Sequence, residues 1–247
     1  AKSPHPLQVI CPDVVGRGRS EWLEDPMGYQ VPQYAADMLA LLAQVRAQCG
    51  AELLSLDWLG TSMGGLIGMA VCAHAASLGL KIGRLVLNDV GPVIQWQAIA
   101  RIGQYLGRVA YFDNVEQAAQ AMWLVSTSFG PHTPEQWLAL SRPMVRPATD
   151  GSARVQLHYD PAIAVPFAQV TEASATAGEA LLWQMYDAIT ARTLLVRGAD
   201  SDLLSPETAR TMTQRGPRAE LLEFAGVGHA PTLIAADQVD AVARFLL

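Results

Sequence analysis

The chain alternates short apolar runs with stretches of helical period. Leu7-Gln8-Val9-Ile10-Cys11 reads as a strand ended by Pro12-Asp13, and a glycine-bearing loop follows to Ser20. Pro32 opens a helix to about Cys49, with Leu39, Leu42 and Val45 on one apolar stripe, and Gly50 stops it. Leu53 to Leu59 predicts a buried strand that ends at Gly60, and an Ala-rich helix begins directly after Ser62. Gly83 to Asp89 is nearly continuous in apolar residues, the pattern of a strand covered on both faces. Thr193–Arg197 and Leu221–Phe224 repeat it, separated by a helix that Ser205-Pro206-Glu207 opens and Gly216-Pro217 ends. Val239, Val242, Phe245 and Leu246 place one face on a closing helix.

Between Pro92 and about Ile189 the rhythm changes. Roughly one hundred residues pass with no buried-strand pattern, too many for a loop. Helical patterns take their place at Gln95–Tyr111, Val115–Ser126, Pro134–Leu140 and Glu179–Ile189, with proline and glycine between them. The whole reads as one α/β domain: a mostly parallel sheet with helices on both faces, joined by right-handed crossovers. Its core is residues 1–91 and 192–247, and residues 92–191 are a helical insertion.

Composition narrows the classes of partner. Of 247 residues, 51% are hydrophobic and 16% charged, enough for a full-sized core. The net charge is 17 − 23 = −6 with no basic run, which argues against nucleic acid or an anionic membrane as partner. No apolar run reaches the ~18–20 residues of a membrane span, and Ala1 to Pro6 lack a signal-peptide core. Cys11, Cys49 and Cys72 are odd in number and lack metal-site spacing. They are expected to be buried free thiols, which suits a reducing, cytoplasmic compartment. No metal and no cofactor is implied.

The chemistry centres on Gly60-Thr61-Ser62-Met63-Gly64, a G-x-S-x-G pattern between an apolar strand and a helix. Other glycine motifs fail on spacing. A phosphate loop needs Lys after its second glycine, where Gly65 is followed by Leu66, and no G-x-G-x-x-G fingerprint occurs. A serine on so sharp a turn sits in a strained backbone conformation, and the helix behind it aims N–H groups at any anion formed there. The serine needs a base, and the base an orienting acid. His229, in Gly228-His229 after the last strand, supplies the base, and Asp200 and Asp202 follow the preceding strand.

This elbow, with the Cys-Pro-Asp-Val-Val-Gly-Arg-Gly-Arg-Ser-Glu-Trp run at 11–22, resembles the α/β-hydrolase superfamily. The order Ser, Asp, His fits that family. The resemblance implies a nucleophile at Ser62, a base at His229 and an acid at Asp202, because Arg-Gly-x-x-Ser-Asp-Leu-Leu matches a common variant. Asp200 is the alternative acid, and many members carry it three residues after the glycine, where this chain has Ser201. Asp13 reads as a loop-bracing carboxylate partnered by Arg17 or Arg19.

Met63 is expected to give one oxyanion-hole N–H; the family's second donor and early strands have no counterpart in the sequence, which points to truncation. The insertion corresponds to the family's cap, with Trp123, Phe129, Trp137 and Trp183 as candidate substrate-binding residues. The implied function is hydrolysis of small, largely apolar carboxylic esters through an acyl-enzyme, with a small-molecule ester as the partner. Carbon–carbon bond or enol-lactone hydrolysis, acyl transfer, or a non-catalytic receptor are the alternatives.

Overall fold

The structure is a computed structural model, and it describes residues 7–50, 56–75 and 79–247. Helix α1 (Val31–Cys49) leads to strand β1 (Leu56–Thr61), helix α2 (Met63–Ala75) and strand β2 (Ile82–Asn88). After the insertion come β6 (Arg192–Gly198), α8 (Pro206–Met212), β7 (Glu220–Phe224) and α9 (Ala236–Leu246). The four strands form one all-parallel sheet in the order β1-β2-β6-β7.

Period-two packing explains the unbroken apolar runs. Leu85 and Leu87 of β2 and Leu195 of β6 join the larger core with α1 and α2. Val86, Leu194 and Val196, pointing the other way, pack with Val242 and Phe245 of α9. Both faces are covered, so neither can carry polar residues cheaply. On α1 the buried stripe is Tyr34, Ala35, Met38 and Leu42, so the predicted stripe is rotated toward the helix start. Gly50 ends that helix with φ 55°, and its N–H closes on the Arg46 carbonyl.

Two sequence expectations fail at the start of the chain. Residues 7–13 take no regular element, and Leu7, Val9 and Ile10 face solvent. No described strand runs beside them, so their alternation finds no hydrogen-bond ladder. Cys11 is exposed rather than buried for the same reason, while Cys49 and Cys72 are half-buried; all three are free thiols. Leu53 to Ser55, the predicted start of the elbow strand, and the Ala1–Pro6 segment lie outside the described residues.

Residues 92–191 contain α3 (Trp96–Gly103), β3 (Tyr111–Phe112), α4 (Val115–Leu124), α5 (Pro134–Ser141), β4 (Val145–Pro147), β5 (Val155–Leu157), α6 (Ala164–Phe167) and α7 (Glu172–Asp187). This segment is not wholly helical: β3, β5 and β4 pair antiparallel as a small second sheet. Strands of two or three residues leave no period to read. Helix α7 begins seven residues before its predicted start, at a capping box in which Thr171 and Ser174 exchange hydrogen bonds. Among the described residues no helix is long and apolar enough to cross a membrane.

Candidate active site

The elbow is built by close packing. Ser62 has φ 51°, a left-handed conformation, and its N–H donates to the Asn88 carbonyl at 2.9 Å. Its own carbonyl accepts from Gly65 and Leu66, which starts α2. A Cβ on Gly60 would lie 2.2 Å from the Gly64 carbonyl oxygen, so only glycine lets the helix fold back against β1. The Trp58 indole N–H donates to that same carbonyl at 3.0 Å and ties strand to helix. Met63 opens α2, so its N–H is among the amides that a helix start leaves without an intrahelical partner.

One strand over, β2 ends at Asn88, and Asp89 follows directly. Asn88 Nδ2 donates to Thr61 Oγ1 at 2.9 Å and to the Pro231 carbonyl at 2.7 Å, tying β1, β2 and the histidine loop together. Asp89, at φ 56°, is fully buried, and its N–H donates to the Val196 carbonyl. Its Oδ1 accepts from the Gly198 N–H at 2.9 Å, and its Oδ2 accepts from Ser201 Oγ at 2.6 Å.

His229 arrives on the loop after β7 and is itself buried. Its Nδ1 lies 2.7 Å from Asp89 Oδ2, and its Nε2 lies 2.9 Å from Ser62 Oγ. A carboxylate accepts only, so the imidazole tautomer with its proton on Nδ1 leaves Nε2 to accept from the serine hydroxyl. Three side chains, 140 and 167 positions apart in two pairs, thus form one continuous hydrogen-bond chain.

The carboxylate beside His229 is not the one favoured from the sequence. Asp202 is half-exposed and pairs with Arg101 of α3, Nε to Oδ2 at 2.9 Å and Nη2 to Oδ1 at 3.1 Å. Asp200 contributes its backbone N–H to the Val227 carbonyl, and the histidine's Nδ1 bond goes to Asp89 instead. The residue beside His229 is Asp89, which sequence reasoning treated only as a strand end. A signal was there: an acid at the C-terminal end of the strand next to the elbow, and Ser201 where many relatives carry the acid. Asp57, on the elbow strand, is taken up by Arg84, whose N–H and Nη1 both lie 2.9 Å from it. Asp13 accepts from the Arg19 N–H at 3.0 Å, which braces its loop as expected.

The predicted substrate-binding aromatics fall in two places. Trp123, Trp137 and His132 pack edge to face with one another, and Phe129 packs the same way on Trp137, at centroid distances of 4.9 to 6.1 Å. His132 bonds the Gly130 carbonyl and Thr232 Oγ1, and Ser128 Oγ donates to the His229 carbonyl at 3.2 Å. This knot therefore grips the loop that carries the histidine. Trp183 lies on α7 against Tyr186 and under the Arg215 guanidinium. None of the four lines the apolar cavity of about 350 Å³ between α3 and α6, where Trp96, Ile99, Gly103, Leu106, Ala164 and Phe167 stand. Among the described residues no three His, Cys, Asp or Glu side chains are grouped to hold a metal ion.

Comparison with known proteins gives a consistent picture. The chain is 45% identical over 240 residues to a 3-hydroxybutyrate-oligomer hydrolase of Cupriavidus necator, covering 96% of this chain and 78% of that one. It is 28% identical to an esterase of Mycobacterium tuberculosis, over 83% of this chain and 62% of that one. A crystal structure of an alpha/beta hydrolase from Novosphingobium aromaticivorans superposes with a TM-score of 0.78 at 35% identity, covering 96% of this chain and 78% of that one. The alpha/beta hydrolase family matches residues 1–245, and the chain, a hydrolase, belongs to it.

Proposed function

We propose that the protein hydrolyses carboxylic esters through an acyl-enzyme on Ser62, its substrates being short esters of small hydroxy acids. The observation that carries this reading is the hydrogen-bond chain from Ser62 Oγ through His229 to Asp89. The relative that acts on 3-hydroxybutyrate oligomers, at 45% identity, supports the substrate class.

In this mechanism Ser62 Oγ attacks the ester carbonyl carbon as its proton passes to His229 Nε2. Buried Asp89 stabilises the imidazolium and holds its orientation. The Met63 N–H, at the positive end of α2, donates to the oxyanion. Collapse breaks the bond to the leaving oxygen, which takes the proton back from His229 and departs as an alcohol. Water, activated by the same histidine, then releases the acid and restores Ser62. The insertion, whose knot holds the His229 loop, acts as a cap over this chemistry.

Incubation with a fluorophosphonate followed by peptide mapping tests the reading. Labelling confined to Ser62, with turnover of a 3-hydroxybutyrate dimer reduced by ~10⁴ or more in Ser62→Ala, is expected. Turnover that survives in Ser62→Ala would end it.

A further inference from the structure

Most arginines here have an anionic partner. Nine of those described lie within 4.0 Å of a carboxylate. Arg17, half-buried in the loop between Gly16 and Gly18, has none among the described residues. Its Nη1 donates to the Val15 carbonyl at 3.2 Å and to Tyr34 Oη at 3.4 Å. The guanidinium also stands 5.3 Å from the Tyr34 ring centroid. Its Nη2 rests 3.5 Å from Met63 Sδ, a weak acceptor. Those contacts leave Nε–H and one Nη2 N–H without an acceptor among the described residues, two donors on one planar guanidinium that are available to a carboxylate.

The loop is fixed, not drifting. Gly18 N–H donates to the His158 carbonyl and Asp160 N–H to the Gly16 carbonyl, so core and insertion meet around Arg17. Holding a partly desolvated cation here without an anion is costly, and the net charge of −6 otherwise repels acidic ligands. Met63, which the guanidinium touches, directly follows the nucleophile. In a linear hydroxybutyrate dimer the free carboxylate carbon lies four bonds from the ester carbonyl carbon, about 5 Å when extended.

We infer that Arg17 binds the free carboxylate of an ester substrate seated on Ser62, so that the site selects short hydroxy-acid oligomers ending in an acid over neutral esters. The inference rests on the proposed Ser62 chemistry. Its test compares the linear 3-hydroxybutyrate dimer as free acid with the same dimer capped as a terminal amide. In Arg17→Gln, kcat/KM for the acid falls about 10- to 100-fold, mostly through KM, while the amide changes little. Arg17→Lys recovers part of the loss. Equal losses on acid and amide would make Arg17 structural, and no loss would leave it idle; either overturns the inference.

Should Arg17→Gln fail to fold, the wild type still decides. Its preference for acid over amide is expected to exceed tenfold and to shrink with added salt, and a ratio near one overturns the inference. Calorimetric binding of both dimers to Ser62→Ala separates the two readings. Tighter binding of the acid, lost in Ser62→Ala/Arg17→Gln, supports the role of Arg17 even where turnover fails. Equal binding of acid and amide contradicts it.

Discussion

Tyr29 shows how one buried hydroxyl can hold distant segments. It donates to Asp160 Oδ2 at 2.6 Å and accepts from the Leu23 N–H at 2.7 Å. Burial, with the Asp160 bond second, pushes the phenol up to about 12. Its ionisation is thus resisted in the folded state and free in the unfolded chain, so the stability it adds is complete below pH ~10 and lost as pH rises toward 12. Tyr29→Phe is expected to cost about 1–3 kcal/mol at neutral pH by stranding two partners, and to lower Tm by about 2–4 °C for each kcal/mol. Thermal melts across pH 9 to 12 check both parts: the variant melts lower, and its decline through the alkaline range is shallower. Legibility at this scale is uneven. Ser62 and His229 carry local signatures, glycines at a strand end, that name them as candidates from sequence. Asp89 carries only its place at the end of the strand beside the elbow, and an aspartate there looks the same whether it meets a histidine or solvent. The Ser201 hydroxyl and the Gly198 N–H that hold its carboxylate come together with it only in three dimensions.

At the scale of elements, the elbow depends on how tightly β1 and α2 approach. The two glycines of the motif differ in what they permit: a Cβ at Gly60 meets backbone at 2.2 Å, while one at Gly64 meets nothing within 4 Å. Gly60→Ala is therefore expected to shift Ser62 from its register with His229 and to cost about 10²-fold in kcat/KM, the scale of a 1 Å misplacement. Gly64→Ala, at a helical position, retains activity within severalfold. Esterase kinetics of the two variants check the contrast, and equal effects would refute the packing argument. Strands β2 and β6 were readable because sheets covered on both faces need nearly unbroken apolar runs, whereas β7, at the sheet edge, showed only a short one. Strands β3, β4 and β5 were not, since their edges are set by pairing and span two or three residues. The run Leu7–Cys11 failed in the opposite direction: alternation suits a strand, yet a strand exists only beside another.

Across the whole molecule, residues 92–191 are stitched to the segments before and after them at points around the site. Tyr29 meets Asp160, His132 meets Thr232, Ser128 meets the His229 carbonyl, and Arg101 meets Asp202. The hydrogen-bond chain from Ser62 to Asp89 is a property of topology. A parallel sheet puts the ends of β1, β2 and β7 on one edge, and residues 62, 89 and 229 meet there. Asp202, the acid the sequence resemblance implied, is spent on a surface pair worth ~0–1 kcal/mol. The sharpest measurement is kcat/KM for the hydroxybutyrate dimer in Asp89→Asn beside Asp202→Asn. A fall of roughly 10⁴ is expected for Asp89→Asn, as when a histidine loses its orienting carboxylate, and a change within about threefold for Asp202→Asn. A larger loss in Asp202→Asn than in Asp89→Asn would contradict this expectation.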